Sequence, residues 1–244
     1  MIEWNRNISK IYELGGKKIV SKEHRKLIFL RRELFFYDLF KKNPIIHTPE
    51  IYNSKGLNLQ TYFIETEDKN IFQTIQDWAK VHSYFMKKIF ENNDLLIQHE
   101  TESINSYIFK NINTFYEFGP IIKNKLLGVK LNRELKTLLH GDLQKKNMVT
   151  FKGNNYYFDF ELGGIGHPGR DIASMIISSP EKKNELIKEY RENINFDYSG
   201  IEEDITHWLL LRTAQLYLIF DKKKEQENKK KAIKDKLLKI IQTF

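Results

Sequence analysis

His140-Gly141-Asp142-Leu143-Gln144-Lys145-Lys146-Asn147, followed twelve residues after Asn147 by Asp159-Phe160-Glu161, is the stretch that decides how this chain is read. The apolar pair Leu138-Leu139 leads into it and Met148-Val149-Thr150 leaves it. Lys152-Gly153-Asn154-Asn155 reads as a tight turn into a second strand, Tyr156-Tyr157-Phe158, so the spacing predicts a hairpin. Asp142 and Asn147 then lie on a loop and its exit, and Asp159 lies at the end of the returning strand. Taken singly, each is an ordinary turn residue, because Asp and Asn in turns commonly bond their own backbone. Three of them in this order, gathered by one hairpin, are much harder to ascribe to turns.

The residue types suit phosphoryl transfer. That reaction needs an acceptor hydroxyl held in line and a divalent cation on the triphosphate, and Mg²⁺ takes hard oxygen ligands. Asp159 and Asn147 offer such oxygens. A separate carboxylate must accept the hydroxyl proton from within one hydrogen bond, and Asp142 is the candidate base.

Read as H-G-D-L-x-x-x-N, then D-F-E, then G-x-x-H-P-G-R-D-I-A, the segment from His140 to Ala173 resembles the aminoglycoside phosphotransferase and choline kinase branch of the protein-kinase-like fold. The resemblance implies an α+β, two-lobed fold with a reduced N-terminal β-lobe and a mainly helical C-lobe. It implies Asp142 as catalytic base, Asn147 and Asp159 as Mg²⁺ ligands, and Asp171 as a structural carboxylate bracing the loop around His140. ATP is the implied phosphoryl donor, and the residues do not separate ATP from GTP. The H-G-D-L opening is also similar to the RIO kinases and to the small kinase of the KEOPS tRNA-modification complex.

Upstream, Ile8 to Glu13, the turn Gly15-Gly16 and Lys18 to Lys22 read as a short hairpin, and Glu23 to Lys42 as a helix stopped near Asn43-Pro44. In the resembled fold a strand lysine grips the α- and β-phosphates and pairs with a helix glutamate. Lys22 and Glu33 fit those roles, with Lys18 and Glu23 as substitutes. Glu33 shares a helix face with Phe29, Phe36, Tyr37 and Phe40; the alternative is a solvated edge where it pairs with Arg31 or Arg32. Tyr62-Phe63-Ile64-Glu65 reads as the hinge strand, with the backbone of Glu65 and Thr66 meeting the nucleobase. The division expected is therefore a reduced N-lobe over residues 1–65 and a helical C-lobe over 66–244. The family's glycine-rich phosphate loop would precede the hairpin, yet Trp4-Asn5-Arg6-Asn7 holds no glycine. A truncated or absent first strand is expected, with Arg6 or other basic residues compensating. Ile71, Ile75, Trp78, His82, Phe85 and Ile89 form one stripe at helical spacing, with His82 expected as a packed core histidine.

The 244 residues suffice for one two-lobed unit. No run of 18 apolar residues suggests a membrane span, and Met1-Ile2-Glu3-Trp4 lacks a signal-peptide pattern. The absence of cysteine excludes disulfides and a thiol nucleophile, so a cytoplasmic setting is expected. Nothing implies a protein partner.

Only eleven residues separate Asp159 from Asp171, too few for the peptide-docking segment of protein kinases. Gly163-Gly164-Ile165-Gly166 either makes room for an acceptor or is a flexible turn. Net charge is +8, with a surplus of +6 in residues 1–42 and +5 in residues 221–244, leaving the middle at −3. Cationic acceptors gain nothing from such basic ends, so an anionic partner is expected. RNA, tRNA in particular, is the first reading: Arg25, Arg31, Arg32, Lys145 and Lys146 would track its backbone toward a ribose 2′-hydroxyl, as in the archaeal-type tRNA 2′-hydroxyl kinases that the motif resembles. Lys222-Lys223-Lys224 and Lys229-Lys230-Lys231 would extend the track or form a solvated helix face. The alternative is a small-molecule kinase of the aminoglycoside, choline or sugar type acting on a metabolite or anionic sugar, which a closed acidic or sugar-sized cleft between Ile104 and the C-terminal helices would support.

Overall fold

The computed structural model describes residues 8–14, 17–56, 58–63, 70–86, 88, 94–99, 101–128, 135–221 and 227–242. The N-terminal part is an antiparallel sheet of β1 (Ile8–Leu14), β2 (Lys17–Glu23), β3 (Ile51–Lys55) and β4 (Asn58–Phe63), in the order β1-β2-β4-β3. The β3–β4 hairpin was not anticipated from sequence beyond its last residues. Helix α1 (Leu27–Lys42) crosses between β2 and β3. It begins at Leu27 and not at Glu23, because Lys22 and Glu23 stay in the sheet opposite Leu59 and Asn58. At its other end the Asn43 backbone and side-chain amides both donate to the Leu39 carbonyl, at 2.9 and 3.0 Å, and Pro44 cannot continue the helix.

The apolar face of α1 decides how the two parts meet. Phe36 stacks on Phe160 with ring centroids 5.0 Å apart, and Phe40 packs against Trp78 and Phe85 of α2 (Ile71–Phe85). Phe160 also meets Tyr37, Phe40 and His140, so one buried ring joins α1 to the segment holding Asp159. Removing a ring so placed costs about 3–5 kcal/mol. The predicted stripe on α2 is observed: Ile71, Ile75, Trp78, His82 and Phe85 are all buried, while Ile89 lies outside the described residues.

The remainder is mainly helical. It runs β5 (Ile97–His99), α3 (Thr101–Lys110), α4 (Gly119–Gly128), β6 (Thr137–Leu139), β7 (Met148–Phe151), β8 (Asn154–Tyr157), β9 (Gly164–Gly166), α5 (Gly169–Ser178), α6 (Lys183–Asn193), α7 (Ile201–Asp221) and α8 (Glu227–Gln242). Helix α7 is buried along most of its length and packs against α3, α5 and α8. The β7–β8 hairpin turns on Lys152 and Gly153, both at positive φ, the pairing of a two-residue turn whose twist matches the strands.

The glycine stretch is neither open space nor a flexible turn. Gly164 and Gly166 lie in β9, hydrogen-bonded between β5 and β6. A Cβ at Gly164 would strike the Ile97 carbonyl, and one at Gly163 would strike the Phe36 ring. These glycines are there because the backbone passes close to its neighbours. Among the described residues, no helix is long and apolar enough to cross a membrane.

Candidate active site

The loop after β6 is held from beneath by one carboxylate. Asp171, in the first turn of α5, accepts the His140 amide on Oδ2 at 2.7 Å and the Gly141 amide on Oδ1 at 3.0 Å. His140 Nε2 reaches the Phe158 carbonyl at 3.1 Å, tying the loop to the far strand of the hairpin. His82 lies below, its Nδ1 2.8 Å from the Tyr190 hydroxyl and its Nε2 3.6 Å from Asp171. Gly141 has φ +82°, and a Cβ there would overlap the Leu162 carbonyl, so only glycine allows the loop to turn here. That turn presents the next side chain, Asp142.

Each oxygen of Asp142 meets one neutral amide and one cation. Oδ1 accepts from Gln144 Nε2 at 2.6 Å and from Arg212 Nη2 at 3.3 Å; Oδ2 accepts from Asn147 Nδ2 at 3.1 Å and from Lys146 Nζ at 3.0 Å. Burial alone would raise its pKa, but Lys146 and Arg212 outweigh that and hold it below the ordinary carboxylate value. Asp142 is therefore ionised at neutral pH, as a proton acceptor must be.

Asn147 and Asp159 are joined by the hairpin, whose Phe158 amide donates to the Asn147 carbonyl at 3.2 Å. Both amide donors of Asn147 are accounted for by the Asp142 carbonyl and carboxylate, which leaves its amide oxygen as the acceptor end. Asp159 sits in the left-handed region at φ +69°, ψ +48°, a conformation that costs an L-residue about 1–2 kcal/mol and is typical of functional positions. A carboxylate oxygen and an amide oxygen from the two ends of one hairpin fit a hard divalent cation carried on a polyphosphate.

Opposite them, Lys22 of β2 reaches three carboxylates: Glu33 at 2.9 Å, Glu161 at 3.5 Å, and Asp159 by a direct hydrogen bond. Glu33 is only 2 % exposed. Its Oε2 also meets His24 Nε2 at 2.7 Å, and its Oε1 accepts from the Tyr37 hydroxyl and the Asp159 amide, both at 3.1 Å. Burial would raise the Glu33 pKa; Lys22 and the His24 hydrogen bond reverse this and bring it down to about 2. Burial would likewise lower the Lys22 value, but Glu33, Asp159 and Glu161 carry it above the usual lysine range. A depressed carboxylate stabilises the fold above its unfolded value of 4.5 and loses that contribution as pH falls toward 2, whereas the raised lysine contributes fully below 10.5. The melting temperature should therefore fall as pH drops below 4.5. Glu33→Gln, followed by calorimetry over that range, should remove much of the fall.

The basic residues expected to track RNA are distributed otherwise. Arg32 is buried, its Nε donating to the Leu95 carbonyl and its Nη1 to the Glu161 carbonyl, so it bolts α1 to the segment after Asp159 and presents no charge to solvent. That corrects its place among the RNA contacts. Arg25 and Arg31 are exposed, Lys145 is half-buried, and Lys146 is exposed but paired with Asp142. Glu65, Thr66, Arg6 and Lys222–Lys224 lie outside the described residues. Of the two substitutes, Glu23 is exposed at the end of β2, and the Lys18 side chain lies outside those described.

Sequence reading passed over His24 and Arg212. A signal existed for Arg212, since a charge follows Leu209-Leu210-Leu211 and precedes Thr213-Ala214 in the apolar middle of the helix. Nothing local marks His24.

No family model matches the chain, and no curated protein matches its sequence. Solved structures do. A GDP complex of an aminoglycoside 2′-phosphotransferase-IIIa mutant aligns with a TM-score of 0.70 at 12 % identity, covering 98 % of this chain and 89 % of that one. The fold is that of the aminoglycoside phosphotransferases and choline kinases. Choline kinase LicA from Streptococcus pneumoniae aligns with a TM-score of 0.64 at 14 % identity, over 97 % and 90 % of the two chains. Amicoumacin kinase hAmiN, solved in complex with AMP-PNP, Ca²⁺ and Ami, aligns with a TM-score of 0.62 at 13 % identity, over 95 % and 85 %. The two-lobed, kinase-like architecture expected from His140 to Ala173 thus extends over nearly the whole chain.

Proposed function

We propose that the protein is a purine-nucleotide-dependent phosphotransferase that moves a γ-phosphoryl group to a hydroxyl of a small molecule. The observation that carries this reading is the juxtaposition of an ionised Asp142, anchored on a braced loop, with Asn147, Asp159 and the Lys22–Glu33 pair. Asp142 is the base, Asn147 and Asp159 hold Mg²⁺, and Lys22, fixed by Glu33, neutralises the α- and β-phosphates. When bound, the cation offsets charge on the triphosphate and on the departing diphosphate. His140 and Asp171 keep the loop in place.

Small molecules are favoured over RNA for two reasons. The named structural neighbours are a choline kinase, an amicoumacin kinase and an aminoglycoside 2′-phosphotransferase, and the proposed RNA track loses Arg32 to the interior.

The test is transfer of γ-labelled phosphate from Mg-ATP and Mg-GTP to sugars, phosphosugars, amino alcohols, aminoglycosides and total tRNA, with Asp142→Asn as blank. Label in a small molecule, absent with the variant, supports the proposal. Label only in tRNA would return the acceptor to RNA. Asp159→Ala should weaken nucleotide binding and transfer together, with a steeper Mg²⁺ requirement; an unchanged Mg²⁺ dependence would remove Asp159 as a ligand.

A further inference from the structure

Arg212 lies in α7 at 2 % exposure, a guanidinium stripped of water among apolar neighbours. Apolar replacement of a buried ion pair is often neutral or stabilising, so stability alone gives no reason for a charge here. Each of its three nitrogens donates to a partner. Nε reaches Ser174 Oγ at 3.3 Å, Nη1 reaches Gln215 Oε1 at 2.6 Å, and Nη2 reaches Asp142 Oδ1 at 3.3 Å. Two partners fix the planar fork, and the third contact passes that fixed geometry to the carboxylate. Arg212 is too deeply buried to touch an acceptor.

The two Asp142 oxygens differ in consequence. Oδ1 is held by Gln144 and the immobile Arg212. Oδ2 is met by Asn147 and by Lys146, whose side chain is 61 % exposed and free to swing into solvent.

We propose that Arg212 is a positioning residue that pins Asp142 through Oδ1 and so leaves Oδ2 to take the acceptor proton, with Lys146 yielding its place to the incoming hydroxyl. The proposal rests on Asp142 being the base. As the acceptor oxygen bonds to the γ-phosphorus, the bond from that phosphorus to the bridging oxygen breaks and its electron pair leaves with the nucleoside diphosphate. The hydroxyl proton passes to Asp142 Oδ2 and is later lost to water.

The probe is steady-state turnover of Mg-ATP with water as acceptor, alongside binding of Mg-AMP-PNP. Arg212→Met should lower kcat by about 10²-fold, the scale of an ångström of misplacement, while KM for Mg-ATP stays within about twofold. Arg212→Lys, which keeps the charge but cannot span all three partners, should recover part of the loss. Gln215→Met leaves Arg212 charged but takes away the acceptor fixing Nη1, and it should lower kcat at constant KM even if Arg212→Met fails to fold. Wild-type kcat in Gln215→Met or in a folded Arg212→Met overturns the proposal, as does a loss of kcat matched by lost nucleotide binding. Asp142→Asn separates the two levels. If it turns over like the wild type, the base assignment itself has failed; if it is inert while Arg212→Met is fully active, only the positioning role is lost.

Discussion

Asp142→Asn is expected to lower turnover by about 10²- to 10⁴-fold, the usual contribution of a positioned base, while leaving the fold and Mg-nucleotide binding close to wild type. The amide preserves shape, and its oxygen can still accept from Gln144 and Arg212 at the Oδ1 position. Its nitrogen would face two donors, Asn147 Nδ2 and Lys146 Nζ, at the Oδ2 position. Lys146 is exposed and can turn away, so the local cost is small, but no lone pair remains there to receive a proton. Rapid-quench and calorimetric binding measurements on the variant check both halves. Turnover at the wild-type rate would take Asp142 out of the chemistry.

Glu33→Ala is the second large effect, and it acts on stability and nucleotide use together. Glu33 is the shared acceptor for Lys22, His24, the Tyr37 hydroxyl and the Asp159 amide. Truncation strands the buried Tyr37 hydroxyl and takes from Lys22 the most buried of its three carboxylates, and breaking a buried pair in this way typically costs about 3–5 kcal/mol. Lys22 would keep Asp159 and Glu161 as partners and be drawn onto the proposed metal ligand, away from the phosphates. Urea unfolding should show the stability loss, and kcat/KM for nucleotide should fall by about 10²-fold. Glu33→Gln should keep more of the stability but little of the nucleotide activity. Normal nucleotide kinetics in a folded Glu33→Ala protein would restrict Glu33 to a structural part.

What was legible in the sequence follows from range. The proposed catalytic segment could be read because its geometry is local: a loop, a two-residue turn and two short strands bring Asp142, Asn147 and Asp159 together within twenty residues. Lys22 and Glu33 could be paired because they lie eleven residues apart across one strand-to-helix step. Arg32 was misjudged because helical spacing gives a face but not what covers it. Its cover comes from Leu95 and Glu161, far along the chain. Arg212 was passed over for the same reason, since its partner lies 70 positions upstream. The glycines Gly163, Gly164 and Gly166 carried a signal, but close approach of the Ile97 backbone and the Phe36 ring cannot be told from a turn without the fold.

The most direct test of the account is to incubate the protein with Mg-ATP and a cell extract divided into small-molecule and RNA fractions. Mass spectrometry would then follow species that gain one phosphoryl group, with Asp142→Asn treated in parallel. The account predicts a phosphorylated hydroxyl compound in the small-molecule fraction that is absent with the variant. Phosphoryl gain confined to the RNA fraction would contradict the acceptor assignment, and equal gain with Asp142→Asn would contradict the site.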